Sequence, residues 1–428
     1  MEIFINPEKA TWIEIVKRPV FDYRQLETKV SSILDDVKSN GDAAIKKYTA
    51  QFDGVVLNDL AVTENEMAAA ALQVDEDLRV AIEVAKNNIA AFHASQTEAV
   101  IKIETIDGVV CWRKSVAIEK VGLYIPGGTA PLFSTLLMLG IPAVLAGCKE
   151  IVVCTPPGKN GEINPVILYV AHLIGIKNMY KVGGVQAIAA MAYGTNSIPK
   201  VNKIFGPGNQ YVTAAKQLVN ATGVAIDMPA GPSELAVYAD ETCNPSFVAA
   251  DLLSQAEHGA DSQVLLVASS LSIVEMVHDE IEKQLPVLPR SAIAAQALQN
   301  SLAVVMENVA GAFELLNAYA PEHLIIASEN AEYLAEKVVN AGSVFMGNYS
   351  PESAGDYASG TNHTLPTNGH AKAYSGVSLD SFVKKITFQQ INKAGIKNIG
   401  RAVQVMAAAE GLAAHKNAVS IRLNEINK

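Results

Sequence analysis

From Val121 onward, short apolar runs alternate with longer segments in which apolar residues recur every three to four positions. The short runs have the length and the Val/Ile content of buried strands, and the longer segments have the period of amphipathic helices. Strand, turn and helix repeated in this order indicate a parallel sheet covered by helices on both faces. Two such series predict strands at 121–125, 151–154, 179–182 and 203–205, then at 235–239, 264–268, 302–305, 323–326 and 343–345.

The predicted fold class is α/β, with two doubly wound parallel-sheet (incomplete Rossmann-like) domains, a helical N-terminal segment and a helical C-terminal tail. The break between the two series falls at Pro229-Ala230-Gly231-Pro232. The predicted boundaries are 1–22 for the N-terminal segment, 23–120 and 233–378 for the first α/β domain, 121–232 for the second, and 379–428 for the tail.

Helical patterns dominate the part of the chain that precedes the two series. Residues 22–51 predict two helices with a break near Ser39-Asn40-Gly41. Thr63 and Glu66 form a capping box, which opens a long helical region that continues to about Ser95.

Three further stretches depart from the alternating pattern. Asp107-Gly108, between alternating segments at 100–105 and 109–114, predicts a β-hairpin with a type I′ turn. Residues 347–376 are rich in glycine and polar residues and predict a functional loop, because loops of this length are uncommon in compact domains. The last helix is predicted over about 399–415.

The composition narrows the class of protein. Half of the 428 residues are apolar and 18% are charged, and the mean hydropathy is +0.19, as in a well-packed globular protein. No apolar run reaches the roughly 18 residues of a membrane span, and the first residues lack a signal-peptide pattern. A net charge of −11 without a Lys/Arg cluster argues against nucleic acid. The four cysteines have neither metal-site spacing nor the density of a disulfide framework, so we expect a cytoplasmic protein. Cys243, considered as a nucleophile, has no nearby basic residue to stabilise a thiolate.

Three glycine-containing turns follow strands of the first series, where open α/β sheets bind ligands. They are Tyr124-Ile125-Pro126-Gly127-Gly128-Thr129, Val182-Gly183-Gly184-Val185-Gln186 and Phe205-Gly206-Pro207-Gly208-Asn209. Each turn opens a helix whose N-terminus favours an anionic group. The alternative is that these glycines serve only the strand-to-helix connection. No GxGxxG fingerprint occurs in them, so the pattern alone does not establish a dinucleotide site.

A first candidate metal site lies in the second series. Asp251, Gln255 and His258 fall at i, i+4 and i+7, which predicts one face of a helix that ends near Gly259. A carbonyl oxygen and an imidazole at a helix end can begin a metal site. The alternative is an ordinary helix C-terminus at which His258 favours the dipole.

Further candidates follow in the later part of the chain. Glu322 and His323 stand at the entry to a strand, where they suit proton transfer or are simply a solvated pair. Asp356 in the glycine-rich loop is a candidate ligand or an Asx-turn residue. Glu410 and His415 lie five apart on the last predicted helix, where His415 is a ligand or a favourable cation in the last turn.

Taken together, these stretches resemble the histidinol dehydrogenase family over essentially the whole chain. The resemblance rests on five blocks in the same order, at 205–209, 230–234, 253–259, 320–324 and 355–363. It implies a homodimeric enzyme that oxidises L-histidinol to L-histidine through L-histidinaldehyde in the last step of histidine biosynthesis. It also implies NAD and one Zn²⁺ per subunit, and active sites shared between the subunits.

The resemblance further implies roles for single residues. The implied zinc ligands are Gln255, His258, Asp356 and His415, the last contributed by the tail of the partner subunit. The implied substrate contacts are Ser233, Gln255, His258, His323, Asp356, Glu410 and His415. His323 would act as the general base and Glu322 would activate water. The implied NAD contacts are Tyr124, Gln186 and Asn209, which places NAD on the domain at 121–232 and most of the zinc and catalytic residues on the other.

Two other functional classes are alternatives to an NAD-dependent dehydrogenase. A zinc-dependent hydrolase would use the same ligands with Glu322 as base, and NAD would not change its activity. A non-catalytic metal- or ligand-binding protein would not need the Glu322-His323 pair.

Overall fold

The computed structural model describes residues 1–18, 23–127, 131–229 and 231–428. These residues fall into two compact units, one formed by Met1–Ser95 and Ile118–Phe382, the other by Gln96–Ala117 and Val383–Lys428. The predicted features at 19–22, 128–129 and 230 lie outside the described residues. None of the helices in the described ranges combines the length and hydropathy that a membrane span requires.

Strands and helices follow the predicted alternation between Lys120 and Met346. The strands are β1 (Glu2–Ile5), β2 (Lys102–Ile106), β3 (Val109–Ala117), β4 (Lys120–Tyr124), β5 (Glu150–Thr155), β6 (Asn178–Lys181), β7 (Lys203–Phe205), β8 (Ala225–Ile226), β9 (Glu234–Ala239), β10 (Gln263–Ala268), β11 (Leu302–Val305), β12 (His323–Ala327), β13 (Ser343–Met346) and β14 (Val383–Ile391). The helices are α1 (Trp12–Ile15), α2 (Tyr23–Phe52), α3 (Glu64–Ala70), α4 (Glu76–Ala94), α5 (Phe133–Ala146), α6 (Pro165–Leu173), α7 (Gly184–Tyr193), α8 (Gln210–Ala221), α9 (Pro245–Ala256), α10 (Leu271–Gln284), α11 (Ser291–Gln299), α12 (Val309–Tyr319), α13 (Ala331–Ala335), α14 (Glu352–Tyr357), α15 (Lys393–Ala409) and α16 (Ala413–Ile426).

A parallel five-stranded sheet in the first unit has the order β6-β5-β4-β7-β8. Residues of α2, α7 and α8 share a core with one of its faces, and residues of α3 to α6 share a core with the other. The predicted doubly wound architecture is therefore confirmed for this sheet. The strand order reverses direction between β4 and β7, which is where such folds open a ligand crevice. The two-residue strand β8 was not predicted, because so short a segment shows no periodicity.

A second parallel sheet, with the order β1-β11-β10-β9-β12-β13, lies in the same unit. Helices α9 to α11 share a core with one face, and α1, α12 and α13 share a core with the other. All residues of β9, β10 and β12 are buried. Burial on both faces explains why these strands appear in the sequence as continuous apolar runs.

Two predictions about the first unit are wrong, one about the structure of the N-terminal segment and one about which segments form a domain. The N-terminal segment is not wholly helical, because β1 forms the edge strand beside β11; three of its four residues are exposed, so its apolar signal is weak. The predicted grouping of 23–120 with 233–378 also fails. Helix α2 packs on α7 and α8, and α4 packs on α5, so these helices cover the five-stranded sheet.

The second unit contains an antiparallel sheet with the order β14-β3-β2, together with α15 and α16. The predicted hairpin is confirmed, but its turn is not type I′, since Gly108 has a positive φ and Asp107 does not. The predicted tail is not wholly helical, because β14 pairs with β3 along nine residues. Lysines and glutamines in β14 obscure its alternation. This pairing places Gln96–Ala117 in the same compact unit as the tail. The prediction assigns this segment to the first α/β domain instead.

Two elements near the C-terminal end also differ from the prediction. The helix predicted over 399–415 is two helices, because Gly411 has a φ of 74° and ends α15 before α16 begins. The loop predicted over 347–376 contains the short helix α14. Small residues such as Gly355 had concealed its helical period.

The predicted break near Ser39-Asn40-Gly41 is confirmed as a kink inside α2. Gly41 has φ 52° and ψ −130°, a conformation essentially limited to glycine. A Cβ atom there would meet only Thr195 Cβ, at 3.9 Å, so the constraint is backbone strain and not space. The predicted Thr63/Glu66 capping box is also confirmed, at the start of α3.

Gly41→Ala should lower the free energy of unfolding by about 1–3 kcal/mol, because alanine must adopt the strained backbone of the kink. The measurement is the denaturant-unfolding midpoint. Ser39→Ala, at an exposed site on the same helix, is the control and should change stability by less than about 0.5 kcal/mol. Equal midpoints for the two variants would contradict the strain.

Candidate functional site

Several predicted site residues gather at the amino edge of the six-stranded sheet. Glu322 precedes β12 and His323 begins it, while Ser233 precedes the neighbouring β9. Helix α9 returns from the carboxyl end of β9, so its last turn, with Gln255, lies at the amino edge. Helix α14, which carries Asp356, packs on α9. Polar groups from four elements therefore meet at one edge.

His323 is the centre of this group and is only 4% exposed. Its Nδ1 lies 3.5 Å from Glu352 Oε1 and 3.7 Å from Glu322 Oε2, and its Nε2 lies 3.7 Å from Asp356 Oδ1. Nδ1 also lies 3.4 Å from the carbonyl oxygen of Glu234. One imidazole thus has three carboxylates around it in a buried region.

The surroundings shift the protonation of this cluster. Burial alone would lower the pKa of His323, but the nearby carboxylates, above all Glu352, raise it to about 10. Burial raises the pKa of Glu322 to about 7, although His323 and the Glu234 N–H act in the opposite direction. Burial also raises the pKa of Glu352 to about 8. Burial opposes ionisation of Asp356 too, yet its contact with His323 lowers its pKa overall. The pKa values of these four groups are therefore all shifted from their ordinary range, which is typical of functional sites.

Gln255 and His258 lie beside the cluster. Gln255 is fully buried, and neither its amide oxygen nor its amide nitrogen has a hydrogen-bond partner among the described residues. His258 lies beyond the end of α9, so the prediction that it shares a helical face with Asp251 and Gln255 is wrong. His258 is among the exposed residues, yet desolvation by the surrounding protein lowers the pKa of its imidazole. The nearby Asp356 carboxylate acts in the opposite direction and raises it. A neutral imidazole is the form that binds a metal.

Three of the four predicted metal ligands, Gln255, His258 and Asp356, thus lie in this region. The fourth, His415, belongs to the second unit, where it is exposed in the first turn of α16. The predicted substrate contact Glu410 is the exposed C-cap of α15. These two residues flank the turn at Gly411 and do not share a helix, which corrects the predicted spacing argument.

The three predicted cofactor contacts line a second feature, a cleft of about 1150 Å³ at the carboxyl edge of the five-stranded sheet. The Tyr124 hydroxyl accepts a hydrogen bond of 3.1 Å from the Gly184 N–H at the start of α7. Gln186 is buried, and its amide oxygen has no hydrogen-bond partner among the described residues. Asn209 caps α8 by accepting from the N–H groups of Tyr211 and Val212.

Glu352 was missed as a site residue by the sequence analysis. It is 1% exposed, and neither carboxylate oxygen has a hydrogen-bond partner among the described residues. One ligand-type atom from each of His323, Glu352 and Asp356 falls within 4.8 Å of the others. The Glu352/Asp356 spacing of four is a helical signal, but the glycine-rich, polar composition around it predicts a loop.

Cys243 is unsuited to act as a nucleophile. It lies beyond the carboxyl end of β9, whereas Glu322 and His323 lie at the amino edge of the same sheet. Burial raises the pKa of its thiol to about 11, so the thiol is protonated at neutral pH.

Comparisons with known proteins point in one direction. A model of the histidinol dehydrogenase family matches residues 16–423. The chain is 59% identical over 426 residues to the histidinol dehydrogenase of Bacteroides thetaiotaomicron, and the alignment covers 100% of both chains. It is 51% identical over 413 residues to that of Colwellia psychrerythraea, covering 96% of this chain and 95% of the other. The crystal structure of histidinol dehydrogenase from Elizabethkingia anophelis superimposes with a TM-score of 0.98 at 57% identity, covering 100% of this chain and 99% of that one.

Proposed function

This chain belongs to the histidinol dehydrogenase family and is thus an oxidoreductase of histidine biosynthesis, and we propose that it oxidises L-histidinol to L-histidine through L-histidinaldehyde, using NAD and zinc. The observation that carries the proposal is the buried His323 surrounded by carboxylates, with Gln255 in the adjoining helix end, whose amide has no hydrogen-bond partner among the described residues. A separate cleft at the switch point of the other sheet suits a dinucleotide.

The residues present fit a zinc ion. Gln255 supplies a buried amide oxygen that has no other partner among the described residues, while His258 supplies an imidazole and Asp356 a carboxylate. Nitrogen and oxygen donors of this kind suit Zn²⁺ with a position left for substrate. Zinc, when bound, provides a fixed positive centre that orients the substrate.

The charge of the cluster also favours a cation. Asp356, whose pKa is lowered, stays ionised at neutral pH in a region of low exposure, and a buried negative charge is costly unless it is compensated. A cation held at Asp356 would also disfavour a second positive charge on His323, which lowers the pKa of that imidazole toward the range of a general base.

The cleft residues fit the dinucleotide. The amide oxygen of Gln186 is a buried acceptor with no hydrogen-bond partner among the described residues, and α7 and α8 begin at this cleft, where the positive ends of their dipoles favour anionic groups. Tyr124 is buried and its pKa is raised to about 12, so its hydroxyl remains neutral. NAD, when bound, accepts the hydride in each oxidation step.

We assign the proton transfers to two neighbouring side chains. His323 removes the proton of the substrate hydroxyl as hydride leaves the carbon. Glu322 then removes a proton from water, whose oxygen attacks the aldehyde carbon, while His323 returns its proton to the aldehyde oxygen. The neutral His323 then takes a hydroxyl proton of the resulting hydrate as the second hydride leaves. Ser233 borders this edge beside Glu234 and is a substrate contact. Glu410 suits the cationic amine of the substrate.

The active enzyme is proposed to be a homodimer in which the partner subunit's His415 completes the zinc site. His415 is exposed in this chain. The same compact unit exposes large apolar side chains, among them Ile101 at 71%, Ile103 at 59% and Met406 at 65%. Exposed apolar groups of this kind are typical of an association surface.

We expect one L-histidinol to yield two NADH, because two hydrides leave the same carbon. The measurement is NADH absorbance at limiting substrate. A thoroughly chelated preparation should produce none, and added Zn²⁺ should restore the yield. Full activity without metal would contradict the ligand assignment. Turnover of substrate that does not depend on added NAD would favour a zinc-dependent hydrolase with Glu322 as base.

Glu322→Gln and His323→Ala should impair different steps. Losing the water-activating carboxylate should slow oxidation of L-histidinaldehyde by about 10²–10⁴-fold and alcohol oxidation much less. Losing His323 should slow both, since both need a base. The two half-reactions are measured separately with each substrate. Equal damage to both by Glu322→Gln would refute the division of roles.

Mixing two inactive variants should restore activity if the site is shared. Under conditions that permit subunit exchange, His258→Ala with His415→Ala should form mixed dimers in which one site has both defects and the other has none. Random pairing makes about half of the dimers mixed, so roughly a quarter of wild-type sites return. No recovery, with exchange verified independently, would show that each chain supplies its own His415.

A further inference from the structure

A buried ion pair holds the Gly206 turn, which follows β7 at the edge of the cleft. The side chain of Lys216 is 4% exposed and that of Asp227 is 1% exposed, and Lys216 Nζ contacts Asp227 Oδ1. Lys216 Nζ also donates to the Gly206 carbonyl oxygen at 2.8 Å. Asp227 Oδ2 accepts from the Gly206 N–H at 2.8 Å. The pair therefore hydrogen-bonds both the N–H and the carbonyl oxygen of Gly206.

The backbone of this turn needs such partners. The pairing of β7 with β4 ends at Phe205, and the buried Gly206 has a φ of 127°. A Cβ atom there would lie 2.1 Å from the carbonyl oxygen of Tyr124, so glycine is required by close approach as well as by φ. Buried peptide groups that leave a β-ladder must be hydrogen-bonded elsewhere. Lys216 and Asp227 supply the partners that a neighbouring strand would otherwise provide.

The turn carries one wall of the cleft. Asn209 and Tyr211 line the cleft, as does Tyr124, against whose backbone Gly206 packs. Lys216 and Asp227 themselves are not among the lining residues. Their influence on a bound ligand must therefore pass through the turn.

We propose that Lys216 and Asp227 are positioning residues for dinucleotide binding, which hold the Gly206 turn so that Asn209 and the N-terminus of α8 face the cofactor. The proposal rests on the proposed function, because it takes the cleft as the NAD site. Stability alone does not explain the pair, since a buried ion pair is often no more stabilising than apolar residues of similar volume. Preorganisation of a binding turn does explain it.

The test compares variants on the same helix in the zinc-loaded enzyme. Lys216→Met removes the donor to the Gly206 carbonyl and leaves the Asp227 carboxylate without its cation. The double variant Lys216→Met/Asp227→Asn also removes that negative charge, while the asparagine keeps an acceptor for the Gly206 N–H. Val219→Ala, at a fully buried position of α8, is the matched destabilising control. The readouts are the NADH dissociation constant by fluorescence titration, the thermal midpoint and the KM for L-histidinol.

We expect both Lys216 variants to weaken NADH binding by about tenfold, the scale found when an outer residue that orients a binding group is lost. The KM for L-histidinol should stay unchanged. The double variant should regain part of the thermal midpoint lost by Lys216→Met without regaining affinity, and Val219→Ala should lose stability but not affinity. If Lys216→Met does not fold, the double variant gives the answer.

Two other results overturn the inference in distinguishable ways. Affinity that follows the thermal midpoint across all variants, Val219→Ala included, would show that the pair is only structural, with the proposed function intact. A wild-type zinc-loaded enzyme that binds no NADH would refute the proposed cofactor, and the positioning role with it.

Discussion

The need to keep several charged groups buried at the amino edge of the six-stranded sheet governs the rest of the site. Each carboxylate there requires a partner, because an uncompensated buried charge is costly. Glu322 accepts a 3.0 Å hydrogen bond from the Glu234 N–H. The side chain of Glu234 is itself held by Arg18, whose guanidinium donates to the Tyr319 carbonyl and lies 4.0 Å from the centre of the Tyr319 ring. The segment after α1 thus takes part in holding the amino edge of this sheet.

The two sheets of the first unit use opposite edges. The cleft opens at the carboxyl edge of one, where α7 and α8 begin, whereas the cluster around His323 stands at the amino edge of the other. One imidazole links α14 to α5, a helix that shares a core with the five-stranded sheet. His363 contacts the Asp356 carbonyl oxygen through Nδ1 at 2.9 Å and Thr135 Oγ1 through Nε2 at 3.2 Å, and Thr135 lies in the first turn of α5.

The sequence predicts this fold well where burial decides the pattern. Strands such as β9 and β10, covered on both faces, appear as apolar runs, and their parallel arrangement follows from the helices between them. The failures lie where burial is weak. β1 and β14 are largely exposed, and α14 has six residues with three small ones among them. Glu352 is buried, but the only sequence signal for it is its spacing of four from Asp356, because its place beside His323 arises only on folding.

The second unit poses a packing problem that its own residues do not solve. On α15 the buried residues are Gly395, Gly400 and Ala407, all small, and α16 has none. Every residue of β2 is exposed, its isoleucines included. A three-stranded sheet with two helices has too little interior to bury such side chains by itself. Exposed Ile103 and Met406 are therefore better explained by a surface that covers them than by solvent. Under the proposed function, that surface is a second copy of the chain, which would bring an exposed imidazole, His415, to the proposed ligands Gln255, His258 and Asp356.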